Sequence, residues 1–343
     1  MDPMFLKGLW YFALPGRTLK PGRMTAKMML GEPLLIGRGR DGIPFAVRDI
    51  CLHRGMPLSS GRFDGTEIEC CYHGWRYDTA GRCTDIPSLS KDQAFDFTKI
   101  RLRNYRCREV QGNIWVYMGE EGDDPLPPVP EIPDIGDQHA QIAGTMVFPC
   151  NVDHAALGLI DSAHGPYVHR SWFWRTPKGT RDKVRKFVPS HLGFTMVRHV
   201  ASSNSWIFRP FGGTPQMEIT FQLPGVHIEH ARVGRYLLCG MIVVTPISES
   251  ETEVNYQIFW TIPWLTPFRP ILKPFVHTFF GQDRQAMIKL RKGLDNNPPQ
   301  LFVSDPDEQA KWYYRLKKEF ARAREENRPF ENPIKEQVLR WRT

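Results

Sequence analysis

Cys51-Leu52-His53-Arg54-Gly55-Met56 and Cys70-Cys71-Tyr72-His73-Gly74-Trp75 are the two runs on which the reading of this chain turns, and together they spell C-x-H-x16-C-x2-H. That is the ligand set of a two-iron, two-sulfide cluster in which two cysteines hold one iron and two histidines hold the other. Neutral imidazoles carry less negative charge than thiolates, so such a centre sits at roughly −150 to +300 mV and accepts one electron readily. Cys2His2 is also a zinc set. Zinc knuckles usually pair cysteine with cysteine and histidine with histidine, however, whereas each arm here mixes one of each. Asp64-Gly65 lies between the arms as a hairpin turn that would fold the second pair back toward the first.

Through Cys51-Leu52-His53-Arg54-Gly55-Met56-Pro57-Leu58-Ser59 and Cys70-Cys71-Tyr72-His73-Gly74-Trp75 the chain resembles the Rieske non-haem iron oxygenases. The resemblance makes Cys51, His53, Cys70 and His73 the cluster ligands and Cys71 a passenger. Glycines at 55 and 74 let the loop backbones approach the sulfides and donate N–H groups.

Composition is that of a globular protein: 343 residues, 41% hydrophobic, net charge +8 and seven cysteines. The length suits two domains. Scattered cysteines in odd number fit a reducing cytosol better than a disulfide framework. Phe5 to Leu14 is apolar but too short for a membrane span and lacks a basic leader, so it predicts a buried strand. No run approaches the length of a spanning helix. The basic stretch Lys311 to Arg324 alternates with Trp312, Tyr313, Leu316 and Phe320 at helical spacing, which predicts an amphipathic helix with its basic face in water rather than a nucleic-acid site. Docking of an acidic ferredoxin, or steering of an anionic substrate, is the functional alternative for that charge.

From about Pro33 to Glu120, short alternating runs punctuated by Asp41-Gly42, Asp64-Gly65, Gly81-Arg82 and Gln111-Gly112 predict hairpins. Gly37 to Gly42 matches G-x-G-x-x-G, but Ile43-Pro44-Phe45-Ala46-Val47 follows as a strand where a dinucleotide site needs a helix. Residues 119–136 are acidic and proline-rich, a stiff linker. The expected organisation is therefore a cluster domain over 1–118, the linker 119–136 and a second domain over 137–343. In the latter, strands are predicted around Met217 to Phe221, Tyr236 to Val244 and Glu253 to Trp260, with helices at about 151–164, 270–293 and 305–327. The fold class is α+β, and the resemblance implies a helix-grip catalytic domain with an antiparallel sheet flanked by helices.

A second metal is implied by Asp161-Ser162-Ala163-His164-Gly165-Pro166-Tyr167-Val168-His169, whose D-x2-H-x4-H spacing matches the family's catalytic iron motif, with Asn151 ten residues before the aspartate. Asp161 and His164 would leave one face of a helix, Gly165-Pro166 would end it, and His169 would arrive from a separate turn. Oxygen-activating iron(II) favours two histidines and one carboxylate, leaving positions open for dioxygen and substrate. Asp283 falls on the apolar stripe Val276, Phe279, Phe280, Met287 and Leu290, so it must meet a cation, a strong donor or a metal. The family's Gln-Asp pair is matched by Gln282-Asp283, making Asp283 the expected third ligand; an ion pair with Arg284 or Arg291 is the alternative. The resemblance gives Asp161 a different role, bridging His164 to a cluster histidine, His53 or His73, of a neighbouring protomer. One departure is Leu157-Gly158, where many relatives carry an acidic residue and Asn. His154 reads as a structural histidine, and His227 and His230 fall on opposite faces of a strand.

The resemblance, to the short homotrimeric monooxygenase and O-demethylase branch, implies a terminal oxygenase fed with NAD(P)H electrons by a separate reductase, with or without a ferredoxin. It implies a [2Fe-2S] cluster, a mononuclear Fe(II), O2 as cosubstrate and hydroxylation or oxidative demethylation of an aromatic or polycyclic substrate, one bearing a carboxylate suiting the basic charge; the cysteine usage makes the expected setting cytoplasmic. A ring cis-dihydroxylating dioxygenase and a non-catalytic electron carrier are the alternatives. Trp172, Phe173, Trp174, Trp206, Phe208 and Phe221 are available to line the pocket.

Overall fold

A computed structural model describes residues 4–90, 92–171, 181–201 and 213–343. The chain forms two compact units that divide in sequence between Val129 and Pro130, inside the proline-rich stretch; the residues up to Leu6 belong to the C-terminal unit.

Lys7–Val129 is built of β1 (Trp10–Pro15), β2 (Arg23–Met29), β3 (Glu32–Arg38), β4 (Pro44–Arg48), β5 (Arg62–Phe63), β6 (Glu67–Glu69), β7 (Arg76–Asp78), β8 (Cys83–Asp85), β9 (Asn104–Tyr105), β10 (Cys107–Val110) and β11 (Asn113–Tyr117). They make three antiparallel sheets, ordered β1-β11-β10, β2-β3-β4-β9 and β5-β6-β7-β8. The apolar N-terminal run becomes a strand only from Trp10, later than the sequence suggested. Gly37 to Gly42 closes a turn between β3 and β4, so no helix N-terminus faces that loop. Asp64 turns the β5–β6 hairpin by accepting the N–H groups of Thr66 and Glu67 at 2.7 and 2.8 Å. Those bonds hold its carboxyl at about 2.

In the C-terminal unit one antiparallel sheet runs β12-β18-β17-β16-β15-β14-β13-β19. Its strands are β12 (Ile142–Phe148), β13 (Asp182–Ser190), β14 (Gly193–Val200), β15 (Gln216–Gln222), β16 (Val226–Val233), β17 (Tyr236–Pro246), β18 (Thr252–Trp260) and β19 (Gln337–Arg342). Four helices accompany it among the described residues: α1 (Val152–Ile160), α2 (Gly165–Val168), α3 (Arg269–Leu294) and α4 (Glu308–Glu325). Cross-strand register puts Phe194, Phe221, His227, Ile242 and Tyr256 on one sheet face. That face meets the helices, with Tyr313 of α4 against Phe221 and Phe280 of α3 stacked on Tyr256 at 4.4 Å. Phe221 is therefore core; the other aromatic candidates for a pocket, Trp172, Phe173, Trp174, Trp206 and Phe208, lie outside the described residues.

Three helical expectations need correction. α1, capped by Asn151 whose side chain accepts the His154 N–H, stops at Ile160 rather than running to His164. Asp161 ends it by turning its own carboxylate onto the Ala163 N–H at 2.7 Å, a local bond that competes with the helix. Gly165-Pro166 begins α2 instead of ending α1, since proline is at home in a first turn, where its missing N–H would go unused. Third, the basic face of α4 is not wholly in water: Lys317 is 4% exposed and reaches Asp153 of α1. On α3, Phe280 is buried, whereas Leu290 at the end of the predicted stripe is exposed.

Candidate metal centres

The two arms of the N-terminal unit are copies of one local structure. Cys51 N–H donates to Met56 O and Gly55 N–H back to Cys51 O; Cys70 N–H donates to Trp75 O and Gly74 N–H back to Cys70 O. Each loop closes only because its glycine takes positive φ, 75° at Gly55 and 70° at Gly74. A Cβ at Gly55 would meet nothing within 4 Å, so backbone conformation alone is enough to demand glycine there.

These loops bring the four predicted ligands together. Cys51 and Cys70 are buried, and the rings of His53 and His73 lie 4.4 Å apart. Burial raises the Cys70 thiol pKa, although the N–H groups of Tyr72 and His73 pull it down; a bound cation is what makes a thiolate there. His53 Nδ1 is buried with no hydrogen-bond partner among the described residues, while its ring stacks on Trp75 at 4.9 Å. A buried lone pair without a donor is costly, and a metal relieves it. Cys71 is exposed and plays no part in this geometry. The residues present fit a two-cysteine, two-histidine cluster.

Sequence reading missed Tyr77, whose hydroxyl lies 3.4 Å from Cys51 Sγ in the buried core of this unit. Burial, then the Cys51 sulfur, raises its pKa, so the O–H stays protonated and donates. Donation to sulfur stabilises the more negative, reduced cluster. Tyr77→Phe is thus expected to lower the midpoint by about 60 mV, the one-electron equivalent of a ~1.4 kcal/mol hydrogen bond. Redox titration followed by EPR checks this, and an unmoved midpoint would reduce the contact to packing.

In the C-terminal unit, His164, His169 and Asp283 converge although the last stands far along the chain: their candidate ligand atoms lie within 4.8 Å of one another. His164 lies at the start of α2, His169 just past its end, and Asp283 on α3. His164 Nδ1 is 2.7 Å from the carbonyl of Asp161, an obligate acceptor, so that nitrogen carries the proton. His169 Nδ1 donates to Gln282 Oε1 at 3.2 Å, the Gln282 amide being oriented by donation to Ser171 Oγ at 2.5 Å. Both Nε2 atoms therefore present lone pairs, 3.2 Å apart, with Asp283 Oδ1 at 3.6 and 3.4 Å. Two imidazole nitrogens and a carboxylate oxygen facing each other at these distances, with no other donor between them among the described residues, form a cation site. Phe279 stacks on His169 at 3.8 Å and helps fix the ring.

The electrostatics agree. Burial pushes the Asp283 carboxyl up to about 7 against the pull of His164, and burial followed by the His164 charge takes His169 down to about 4. An imidazole kept from charging at His169 beside a carboxylate that is expensive to ionise at Asp283 suits a hard, positively charged guest. Neither arginine of the alternative reading pairs with Asp283: Arg284 donates to Val147 O, and Arg291 to Asp295, Pro149 O and Ser250 O. The residues present fit the two-histidine, one-carboxylate iron(II) set. Asp161 is 41% exposed, with Oδ2 3.6 Å from His164 Nδ1.

His154 and His277 are held by local hydrogen bonds. His154 contacts Asn151 Oδ1 at 2.6 Å and Gln300 Nε2 at 3.0 Å. His277 accompanies the Tyr256 hydroxyl at 3.0 Å. Gly158 faces Met287 of α3, whose tip would stand 3.2 Å from an added Cβ. His227 and His230 are buried on opposite faces of β16.

Residues 9–106 match the Rieske [2Fe-2S] domain. The 4beta-methylsterol monooxygenase of Methylococcus capsulatus is 33% identical over 85% of this chain and 83% of its own length. Chlorophyllide a oxygenase of Arabidopsis thaliana is 34% identical over 50% of this chain, which spans only 31% of that longer protein. Among solved structures, dicamba monooxygenase bound to dicamba superposes with a TM-score of 0.75 at 21% identity, covering 94% of this chain and 99% of the other, and so shares the fold. Paired cysteine–histidine arms on an all-β unit, a helix-flanked antiparallel sheet and a relative similar along most of its length make this chain a member of the Rieske non-haem iron oxygenases.

Proposed function

We propose that the chain is the terminal oxygenase component of a multicomponent Rieske system, a monooxygenase that hydroxylates, or oxidatively demethylates, an apolar polycyclic or aromatic substrate. The observation that carries this is the convergence of the ligand atoms of His164, His169 and Asp283 in a chain that also carries the cluster arms. Similarity to a methylsterol monooxygenase over most of both chains favours a polycyclic skeleton. With both groups bound, the chemistry supplied is dioxygen activation at iron fed by single electrons from the cluster, one oxygen atom entering the substrate and the other leaving as water.

The chain's own residues prepare that chemistry. Asp161 O and Gln282 Oε1 fix the tautomers of His164 and His169, so that both offer Nε2 without reorganisation. The exposed Asp161 carboxylate is free to accept from His53 or His73 of a neighbouring protomer in a homotrimer. Leu52 and Tyr72, 51% and 52% exposed, flank the cluster histidines as an apolar rim against which that neighbouring protomer can pack. No helix among the described residues is long and apolar enough to cross a membrane.

Iron and acid-labile sulfide on anaerobically purified protein test the reading, with about three irons and two sulfides expected per chain. Two irons would leave an electron carrier. With labelled dioxygen and a reductase, one labelled atom is expected in the product; two would mean cis-dihydroxylation.

A further inference from the structure

On the sheet face that α3 and α4 cover, Ile219, Glu229, Gly240, Ile258 and Ile142 are successive cross-strand neighbours on β15, β16, β17, β18 and β12. One row over stand Met217, Ala231, Leu238 and Trp260. Every strand in the middle of this sheet is paired on both sides, yet Met217, Ile219, Glu229, Leu238 and Ile258 keep accessible surface. Contiguous half-open apolar residues on an otherwise covered face leave an accessible apolar floor on the sheet, a surface that a rigid apolar ligand can lie on. Among these residues one is charged: Glu229, whose side chain is 46% exposed.

Glu229 is braced on one side only. His227, two residues earlier on the same face, places Nε2 3.5 Å from Oε1. Its Nδ1 is buried without a partner among the described residues, so the imidazole's useful nitrogen is the one turned to Glu229. The other oxygen, Oε2, lies beside Gly240, 3.8 Å from where a Cβ would stand. A side chain would fit there without a clash; glycine leaves the space open next to an oxygen that no donor among the described residues meets. Burial raises the Glu229 pKa, but the His227 hydrogen bond and the charges of His227 and His169 outweigh it and the carboxyl ends below its usual range. The interaction with His169 also locates Glu229 within electrostatic reach of the iron ligands.

We propose that Glu229, held by His227, is the specificity-determining residue of the pocket and accepts a hydrogen bond from a hydroxyl on a rigid apolar skeleton lying over Met217, Ile219, Leu238 and Ile258. The proposal rests on the oxygenase reading and names its substrate class: a polycyclic alcohol. A carboxylic acid, which the basic net charge alone would suggest, meets like charge at Glu229. An ammonium would have to be stripped of water above an apolar floor, a far larger penalty than a hydroxyl incurs. The alcohol remains fixed by one bond while the skeleton decides which C–H faces the metal.

The test is anaerobic equilibrium binding to the iron- and cluster-loaded protein, read by tryptophan fluorescence, of four steroid probes that differ only in bearing a hydroxyl, its methyl ether, an amine or a carboxylate at the same ring carbon. The alcohol is expected to bind about tenfold tighter than the ether, the value of one charge-assisted hydrogen bond, with the acid failing to bind. In Glu229→Gln the alcohol's advantage should shrink to within about threefold while ether affinity stays and the acid begins to bind, a reversal that loss of packing does not produce. Equal binding of alcohol and ether by the native protein, preference for the amine, retention of the full advantage in the variant, or no binding by any probe would each overturn the proposal. Should the variant not fold, the native comparison decides by itself. Iron content separates the two readings: a native protein lacking the third iron refutes the oxygenase, whereas full iron without alcohol preference refutes only the role of Glu229.

Discussion

Asp283→Ala is expected to retain the brown colour and both sulfides of the cluster while falling from about three irons per chain to about two, with oxygenation lowered at least a thousandfold. A metal acting on the reacting oxygen supplies several kcal/mol, and about 4 kcal/mol is a factor of a thousand. His164 and His169 alone offer two neutral nitrogens 3.2 Å apart and no negative charge to offset that of the cation. The same change should leave the metal-free chain no less stable than the native one. Asp283 is held up to about 7 chiefly by burial, so in the metal-free protein it is a polar group stranded on the apolar side of α3. Alanine removes that penalty and is a good helix former. Function and stability therefore move in opposite directions, as strained sites commonly do. Iron analysis, the visible spectrum and thermal denaturation of the metal-depleted protein decide it; a variant that keeps its third iron and its turnover would falsify the assignment of Asp283.

The largest stability effect should come from a residue with no chemistry of its own. Lys317 Nζ lies 2.6 and 2.8 Å from the two carboxylate oxygens of Asp153, and Tyr313 donates its hydroxyl to the same group at 2.7 Å. Lys317 is almost wholly buried, so Asp153→Ala strands an ammonium between α1 and α4 at a cost of about 3–5 kcal/mol. Asp153→Leu combined with Lys317→Met removes both charges together and should come within about 1 kcal/mol of the native chain, because replacing a whole buried pair by apolar groups is often neutral. The single variant should also loosen iron, since α1 runs directly into Asp161, whose carbonyl orients His164. Urea denaturation of both variants checks the asymmetry. Equal midpoints for the native, single and double variants would mean that the pair is screened by water.

The contrast between these two aspartates shows how far the chain could be read. Asp283 was conspicuous in sequence because a carboxylate interrupted an apolar stripe of helical period. Asp153 carried no such signal, since its partner is contributed by α4 and a lysine in a basic helix looks solvated until the neighbouring helix is in place. Glu229 and His227 were equally silent: their pairing on the accessible part of the sheet follows from the register of the strands and from the absence of a side chain at Gly240. Tyr77 sat four residues beyond a predicted ligand, yet its bond runs to the other arm.

What the sequence by itself determined was whatever rests on local geometry. Each cluster arm is a loop of a few residues closed by its own backbone hydrogen bonds and one positive-φ glycine, so cysteine, histidine and glycine at fixed spacing carry it entire. Alternation gave the strands, and the Asp64 turn the return between the arms, for the same reason. Helix ends were less secure. Asp161 could either continue α1 or bond Ala163, and Gly165-Pro166 could either stop a helix or start one, alternatives that differ by little locally and are settled by packing. Only the tertiary structure decided which distant groups share a site: the ligand atoms of His164, His169 and Asp283, the ion pair under α4 and the Glu229 carboxylate beside Gly240. Such meetings depend on sheet register and helix docking, which no short window of sequence contains, because they are stabilised by the burial of the whole domain rather than by the residues that meet.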